Sequence, residues 1–160
     1  MPWQRMWHVP LPVRDQITEE LRARIAELTG WTVVRADTEV ALNVPKLAVI
    51  AQLEERKEPR DTTSYACRLD LLVIVRVRTE DATATHGTNP WRYLDECVGL
   101  IEAKVHKVDA NGWPVPWVSA DEITIQGHEQ VPGESNDVVA LLRLQAQYRH
   151  LYGDPTTGGG

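Results

Sequence analysis

Tyr65-Ala66-Cys67-Arg68-Leu69-Asp70-Leu71-Leu72-Val73-Ile74-Val75-Arg76-Val77-Arg78 decides the fold. Successive side chains of a strand point to opposite faces, so Tyr65, Cys67, Leu69, Leu71, Val73, Val75 and Val77 share one face. That face is apolar throughout. The other carries Arg68, Asp70, Leu72, Ile74, Arg76 and Arg78 and is mixed. A long strand with one wholly apolar face predicts a sheet with a covering layer on that side.

Upstream, Leu47 to Glu54 alternates, with Leu47, Val49, Ala51 and Leu53 on one face. The charged run Glu54-Glu55-Arg56-Lys57-Glu58-Pro59-Arg60-Asp61 then reads as a hairpin tip. Trp31 to Ala36 is a shorter β-rich run. Downstream, Glu122 to Val131 predicts a strand, and Gly133 to Asp137 a turn. A last strand runs from Val138 to about His150, with Val138, Ala140, Leu142, Leu144, Ala146 and Tyr148 inward.

Two helices complete the pattern. Val13, Ile17, Leu21, Ile25 and Leu28 recur at helical spacing, and Gly30 supplies a stop. Asn89 and Pro90 form a cap and first-turn pair before the stripe Leu94, Val98, Ile101, Val105 and Val108. The order is helix, three strands, helix, two strands. It predicts a two-layer α+β domain, its mainly antiparallel sheet covered on one face by two amphipathic helices. Residues 13–152 form that domain. Residues 1–12, with three prolines, predict an extended arm, and 153–160 a flexible tail.

The strand from Tyr65 to Arg78 spans about 46 Å at roughly 3.3 Å per residue. The first helix spans only about 24 Å at 1.5 Å per residue. Part of the sheet is therefore expected to project as a β-hairpin. Such a ribbon leaves edges that invite another copy or another protein. The alternative is a bend or bulge that folds the strand back over its own core.

Composition narrows the function classes. The 160 residues suit one domain with a core of its own. Seventeen basic against twenty-three acidic residues give a net charge of −6, which disfavours a DNA-gripping or anionic-membrane protein. No apolar run is long enough for a membrane span and no signal core opens the chain, so synthesis in the cytoplasm is expected. Cys67 and Cys97 read as reduced, buried thiols.

Chemistry is sparse. There is no phosphate-cradling glycine loop, no metal spacing among His8, His86, His106, His128 and His150, and no nucleophile elbow at Ser64, Ser119 or Ser135. Asp70 with Glu102-Ala103-Lys104 resembles part of a metal-dependent nuclease motif. Glu102 and Lys104, however, fall on a helix, where residues two apart diverge by about 200°. No catalytic, metal-binding or cofactor-binding residue is assigned.

Surface candidates remain. Arg68, Arg76, Arg78, Arg143 and Arg149 fall on the outward face of the two long strands, where arginine suits protein carboxylates or phosphate, or simply a solvated face. Trp3 and Trp7 on the arm, Trp113 and Trp117 in the tryptophan–proline loop, and Arg56, Lys57, Arg60, Arg76 and Arg78 are candidate subunit or partner contacts. Glu54, Glu55 and Glu58 form a candidate acidic surface at the hairpin tip, which is also what an ordinary soluble turn looks like.

The helix at Val13 to Thr29, the hairpin through Leu47 to Arg78, the Asn89-Pro90-Trp91 helix start and the closing strand pair ending in Gln147-Tyr148-Arg149 together resemble the tail-terminator (tail-completion) proteins of long-tailed bacteriophages. The resemblance covers roughly residues 13 to 152. It consists of element order and lengths rather than a sharp motif. It implies a structural virion protein at the head-proximal end of the tail, a ring of copies (usually six) that caps the tail tube. Its implied partners are itself, the tail tube protein and the head–tail connector, with DNA passing through a lumen without specific binding; Glu54, Glu55 and Glu58, named from the residue reading and not from the resemblance, are the candidates for an acidic lumen. It implies no enzyme activity, no cofactor and no membrane. Head–tail joining or neck proteins and tail tube subunits share this architecture and are alternatives. From another class, a small α+β enzyme or ligand-binding domain without a readable motif stays open.

Overall fold

Leu69, Leu71, Val73, Val75 and Val77 are all at most 1% exposed, while Arg68, Asp70, Leu72, Ile74, Arg76 and Arg78 between them keep solvent contact. The alternation predicted for this strand is thus the organising feature of the molecule. The computed structural model describes residues 11–37, 44–81, 89–132 and 136–158. Its elements are α1 (Val13–Ala26), β1 (Thr32–Arg35), β2 (Lys46–Pro59), β3 (Ser64–Arg78), α2 (Pro90–Val105), β4 (Glu122–Val131) and β5 (Asp137–Leu151). The five strands form one sheet in the order β1-β2-β3-β5-β4. Only β1 and β2 are parallel; the other pairs are antiparallel. The fold is α+β with a mostly antiparallel sheet, as the element order predicts.

One core joins the layers. Ile17, Leu21 and Ile25 of α1 and Leu94, Val98, Ile101 and Val105 of α2 cluster with the inner residues of β3 and with Ala140, Leu142, Leu144 and Ala146 of β5. Asn89 caps α2 by accepting the Arg92 amide, and Pro90 starts it. The helix ends at Val105 rather than carrying its apolar stripe to Val108, which lies outside it and is exposed. Beyond α1, Gly30 takes φ +85, a left-handed conformation that glycine adopts at no steric cost.

β2 presents the opposite face from the one its sequence suggests. Ala48 pairs with Val75 and Ile50 with Val73, so Ala48, Ile50 and Gln52 face the helices. Leu47, Val49 and Ala51 lie on the outer face; of these only Leu47 is buried. Both faces of this segment are apolar, so periodicity cannot choose between them; the register to β3 does. Gln52 is tied to α1, its Nε2 donating to Asp15 Oδ1 at 2.9 Å and to Thr18 Oγ1 at 2.8 Å. A bulge follows between Gln52 and Glu55.

The length mismatch between strand and helix is met in two ways. β5 pairs with β3 over its whole length, from Ser64–Leu151 to Arg78–Asp137, so the ribbon toward the tip has three strands rather than two. The C-terminal residues close the inner face. Val13 N donates to Pro155 O at 2.8 Å and Gln16 Nε2 to Thr156 O at 2.9 Å. Residues 153–158, expected as a flexible tail, thereby satisfy the start of α1, which has no side-chain cap of its own. Beneath them Cys67, Tyr148 and His150 are buried. The expected arm at residues 1–12 lies, apart from Leu11 and Pro12, outside the described residues.

Candidate subunit interface

The sheet leaves one face without a described helix upon it. Its cross-strand rows follow from the registers: Val49–Ile74–Leu141, Ala51–Leu72–Arg143, Asp70–Gln145 and Arg56–Arg68–Gln147. The half toward Lys46 is apolar at its centre. The half toward the hairpin tip is polar and rich in arginine. Several of these arginines have internal partners. Arg56 donates to both carboxylate oxygens of Glu54, at 3.1 and 3.3 Å. Arg149 holds both oxygens of Asp121, at 3.0 and 3.1 Å. Arg76 lies 3.9 Å from Asp137. Arg68 and Arg78 have no side-chain hydrogen bond or ion pair among the described residues. Arg56, Arg60, Arg68 and Arg149, with Glu58 and Asp121, line a shallow hollow of about 350 Å³.

The bulge in β2 divides the tip residues between the two faces. Glu54 and Arg56 lie on the outer face and are exposed. Glu55 turns inward: it accepts the Tyr148 hydroxyl and sits 3.6 Å from Arg14 and 3.4 Å from Lys57. Glu54, Glu55 and Glu58 therefore do not form a single acidic surface, and Lys57 is tied to Glu55 rather than aimed outward with Arg56. One extra residue in β2, three steps from Gln52 to Glu55 against two from Leu71 to Leu69, reverses which side chains face inward, and a sequence alternation cannot show that. At the turn, Asp61 Oδ1 accepts the Thr63 and Ser64 amides, each at 2.8 Å. Those donors, the Thr63 amide foremost, hold its carboxyl down to about 2. Arg60 lies 3.9 Å from Asp61.

The two tryptophans of the 113–117 loop part company. Trp113 is 70% exposed on a turn held by Asp109, whose Oδ1 accepts the Asn111 and Trp113 amides. Trp117 packs against the core under Arg24, whose guanidinium carbon lies 3.8 Å from its ring centre. Val118, at 91%, is more exposed than Trp113 and was not singled out from sequence; as an isolated apolar residue it gave no periodic signal. Trp3 and Trp7 lie outside the described residues.

Arg24 itself escaped sequence analysis, because its partners lie far along the chain. It is 4% exposed and donates to the carbonyls of Val105, Val115 and Pro116, at 3.2, 3.2 and 2.7 Å. It thus meets the C-terminal end of α2, where a cation is favoured.

The nuclease-like residues are kept apart. Asp70 is on the outer sheet face, where Gln145 donates to it, whereas Glu102 is on α2 across the inner face. Cys67 and Cys97 are buried and free of disulfide; burial pushes the Cys67 thiol up to about 11 and raises that of Cys97, which disfavours the nucleophilic thiolate. Among the described residues, no group of three or more His, Cys, Asp or Glu side chains could hold a metal ion, and no helix is long and apolar enough to cross a membrane. In comparisons with known proteins, the sequence matches no family model and no curated protein.

Proposed function

We propose that this chain is a structural subunit of a long-tailed bacteriophage, a tail terminator whose copies close into a ring, six in the arrangement the family resemblance implies, on the head-proximal end of the tail tube. The observation that carries the proposal is the outer face of the sheet, which no described helix covers and whose apolar residues are half-buried. It combines an apolar centre at Val49, Leu72, Ile74 and Leu141 with an arginine group that its own carboxylates only partly neutralise. Arginine set beside apolar surface is typical of protein interfaces. Exposed Trp113 and Val118 add apolar contact area elsewhere on the molecule.

In this reading the tube protein and the head–tail connector occupy the two rims of the ring, and DNA passes through the lumen without specific contact. Of the glutamates expected to line it, Glu54 and Glu58 are exposed, Glu54 holding Arg56, and Glu55 is engaged internally. The chain works by binding its neighbours and carries out no chemistry.

Sedimentation velocity of the full chain over a concentration series tests this. The expected result is one discrete closed species several times the 18.1 kDa subunit mass. A chain that stays monomeric up to its solubility limit overturns the reading.

A further inference from the structure

We propose that two surfaces on opposite sides of the domain dock against each other between successive copies of this chain: the arginine end of the outer sheet face around Arg68, and the solvent face of α2 around Asp95 and Leu100. The inference rests on the self-assembling reading above and names the surfaces that reading would use.

The sheet surface carries an uncompensated charge. Arg56 and Arg68 are directly opposed across β2 and β3, an arrangement in which like charges repel. Arg56 turns back to Glu54 and Arg149 to Asp121. The Arg68 side chain between them has no hydrogen bond or ion pair among the described residues, and it borders the hollow shared with Arg56 and Arg149. Arginine's planar fork is suited to an incoming carboxylate.

The helix surface has the matching sign. α2 buries Leu94, Cys97, Val98, Ile101 and Val105, which leaves Asp95, Glu96, Gly99, Leu100 and Ala103 exposed on its far side. Glu102 and Lys104 border this face on opposite sides, Lys104 donating to Glu27 at 3.2 Å, and Arg92 is the basic residue on the face itself. Asp95 accepts from Gln130 at 2.8 Å, and Glu102 lies 3.5 Å from His128 Nδ1. Each carboxylate keeps acceptor capacity beyond these contacts. Leu100, 52% exposed, gives the acidic face an apolar centre.

Gly99 points the same way. A Cβ at this position would meet nothing within 4 Å, so no internal packing calls for glycine there. Glycine inside a helix weakens it, and the missing side chain here leaves room for another backbone to come close.

The two surfaces lie on opposite sides of the two-layer domain. A contact between them is therefore heterologous, each copy offering its sheet to one neighbour and its helix to the other. Such a contact repeats, and closes into a ring when the rotation permits.

The test uses the full chain in two forms. One carries Arg68→Glu. The other carries Asp95→Lys with Ala103→Lys. Each form alone sets like charge against like and is expected to associate about tenfold more weakly than the wild type, or less. An equal mixture is expected to regain assembly with alternating copies, because each reversed surface then meets its complement. Unchanged circular dichroism and melting establish that both forms are folded. Should a charge reversal disturb folding, Arg68→Ala and Leu100→Lys, both at exposed positions, replace it and are expected to weaken association in the same direction. Wild-type assembly with either variant assembling equally well overturns the assignment of surfaces and leaves the ring reading standing. The same holds if both variants fail but the mixture does not recover, or if Arg68→Glu alters only DNA affinity. A wild type that never associates overturns both.

Discussion

Arg24 shows how much one side chain can hold together. It joins α1 to the last turn of α2, to the Val115–Pro116 segment and to the face of Trp117. Arg24→Ala strands buried carbonyls and removes a charged donor, so a loss of about 3 kcal/mol in urea unfolding is expected. Arg24→Lys keeps the charge but not the fork, and should fall between. Asp61 gives a pH-dependent counterpart. Its carboxyl lies below the ordinary 3.8, at about 2, because the Thr63 and Ser64 amides and hydroxyls donate to it. A lowered folded-state value means stability that is complete above the unfolded value and lost as pH falls through the folded one. The melting difference between wild type and Asp61→Ala should therefore be widest above pH 3.8 and shrink toward pH 2. Asp61 was legible in sequence as a turn residue. Arg24 was not, since nothing near it in the chain announces partners at Val105 and Pro116.

At the scale of elements, the C-terminal segment and the β2 bulge carry the main lessons. Pro155 O accepts the Val13 amide as a cap supplied from the far end of the chain, and Thr156 O holds the Gln16 side chain beside it. Removing residues 153–160 should cost about 1–2 kcal/mol in denaturant unfolding, the usual value of a helix N-cap. If stability is unchanged, those contacts contribute nothing. Gly99→Ala should act in the opposite direction, raising the stability of the isolated domain by up to about 1 kcal/mol, because the added methyl meets open space on a helix. Both helices, the three long strands and the outward set of β3 were readable from periodicity, since each has one clear apolar stripe. The inward face of β2 was not, because Leu47 to Ala51 is apolar on both sides and only pairing with Val73 and Val75 selects Ala48 and Ile50. The fate of Glu55 was equally hidden: its inward turn depends on the bulge, which no residue type in Gln52 to Glu55 signals.

For the whole molecule, the expectation of an unfinished sheet takes a more specific form. The ribbon tip is completed by β5 and by residues 153–158, so the inner face is closed. Among the described residues no helix covers the outer face, and beyond Ile50 no strand pairs the edge of β2. Charged residues, Pro59 and the bulge guard that edge against strand addition, so assembly through the face is favoured over assembly through the edge. The arginines of the face were visible in sequence from their alternation in β3 and β5. Their local pairing was not: it leaves Arg68 and Arg78 without a side-chain partner among the described residues, and of these Arg68 lies in the arginine-lined hollow. Electron microscopy of the full chain at its highest soluble concentration tests the central claim most directly. Closed rings of uniform copy number with an open lumen are expected. A field of isolated 18.1 kDa monomers, or open filaments that never close, would contradict it.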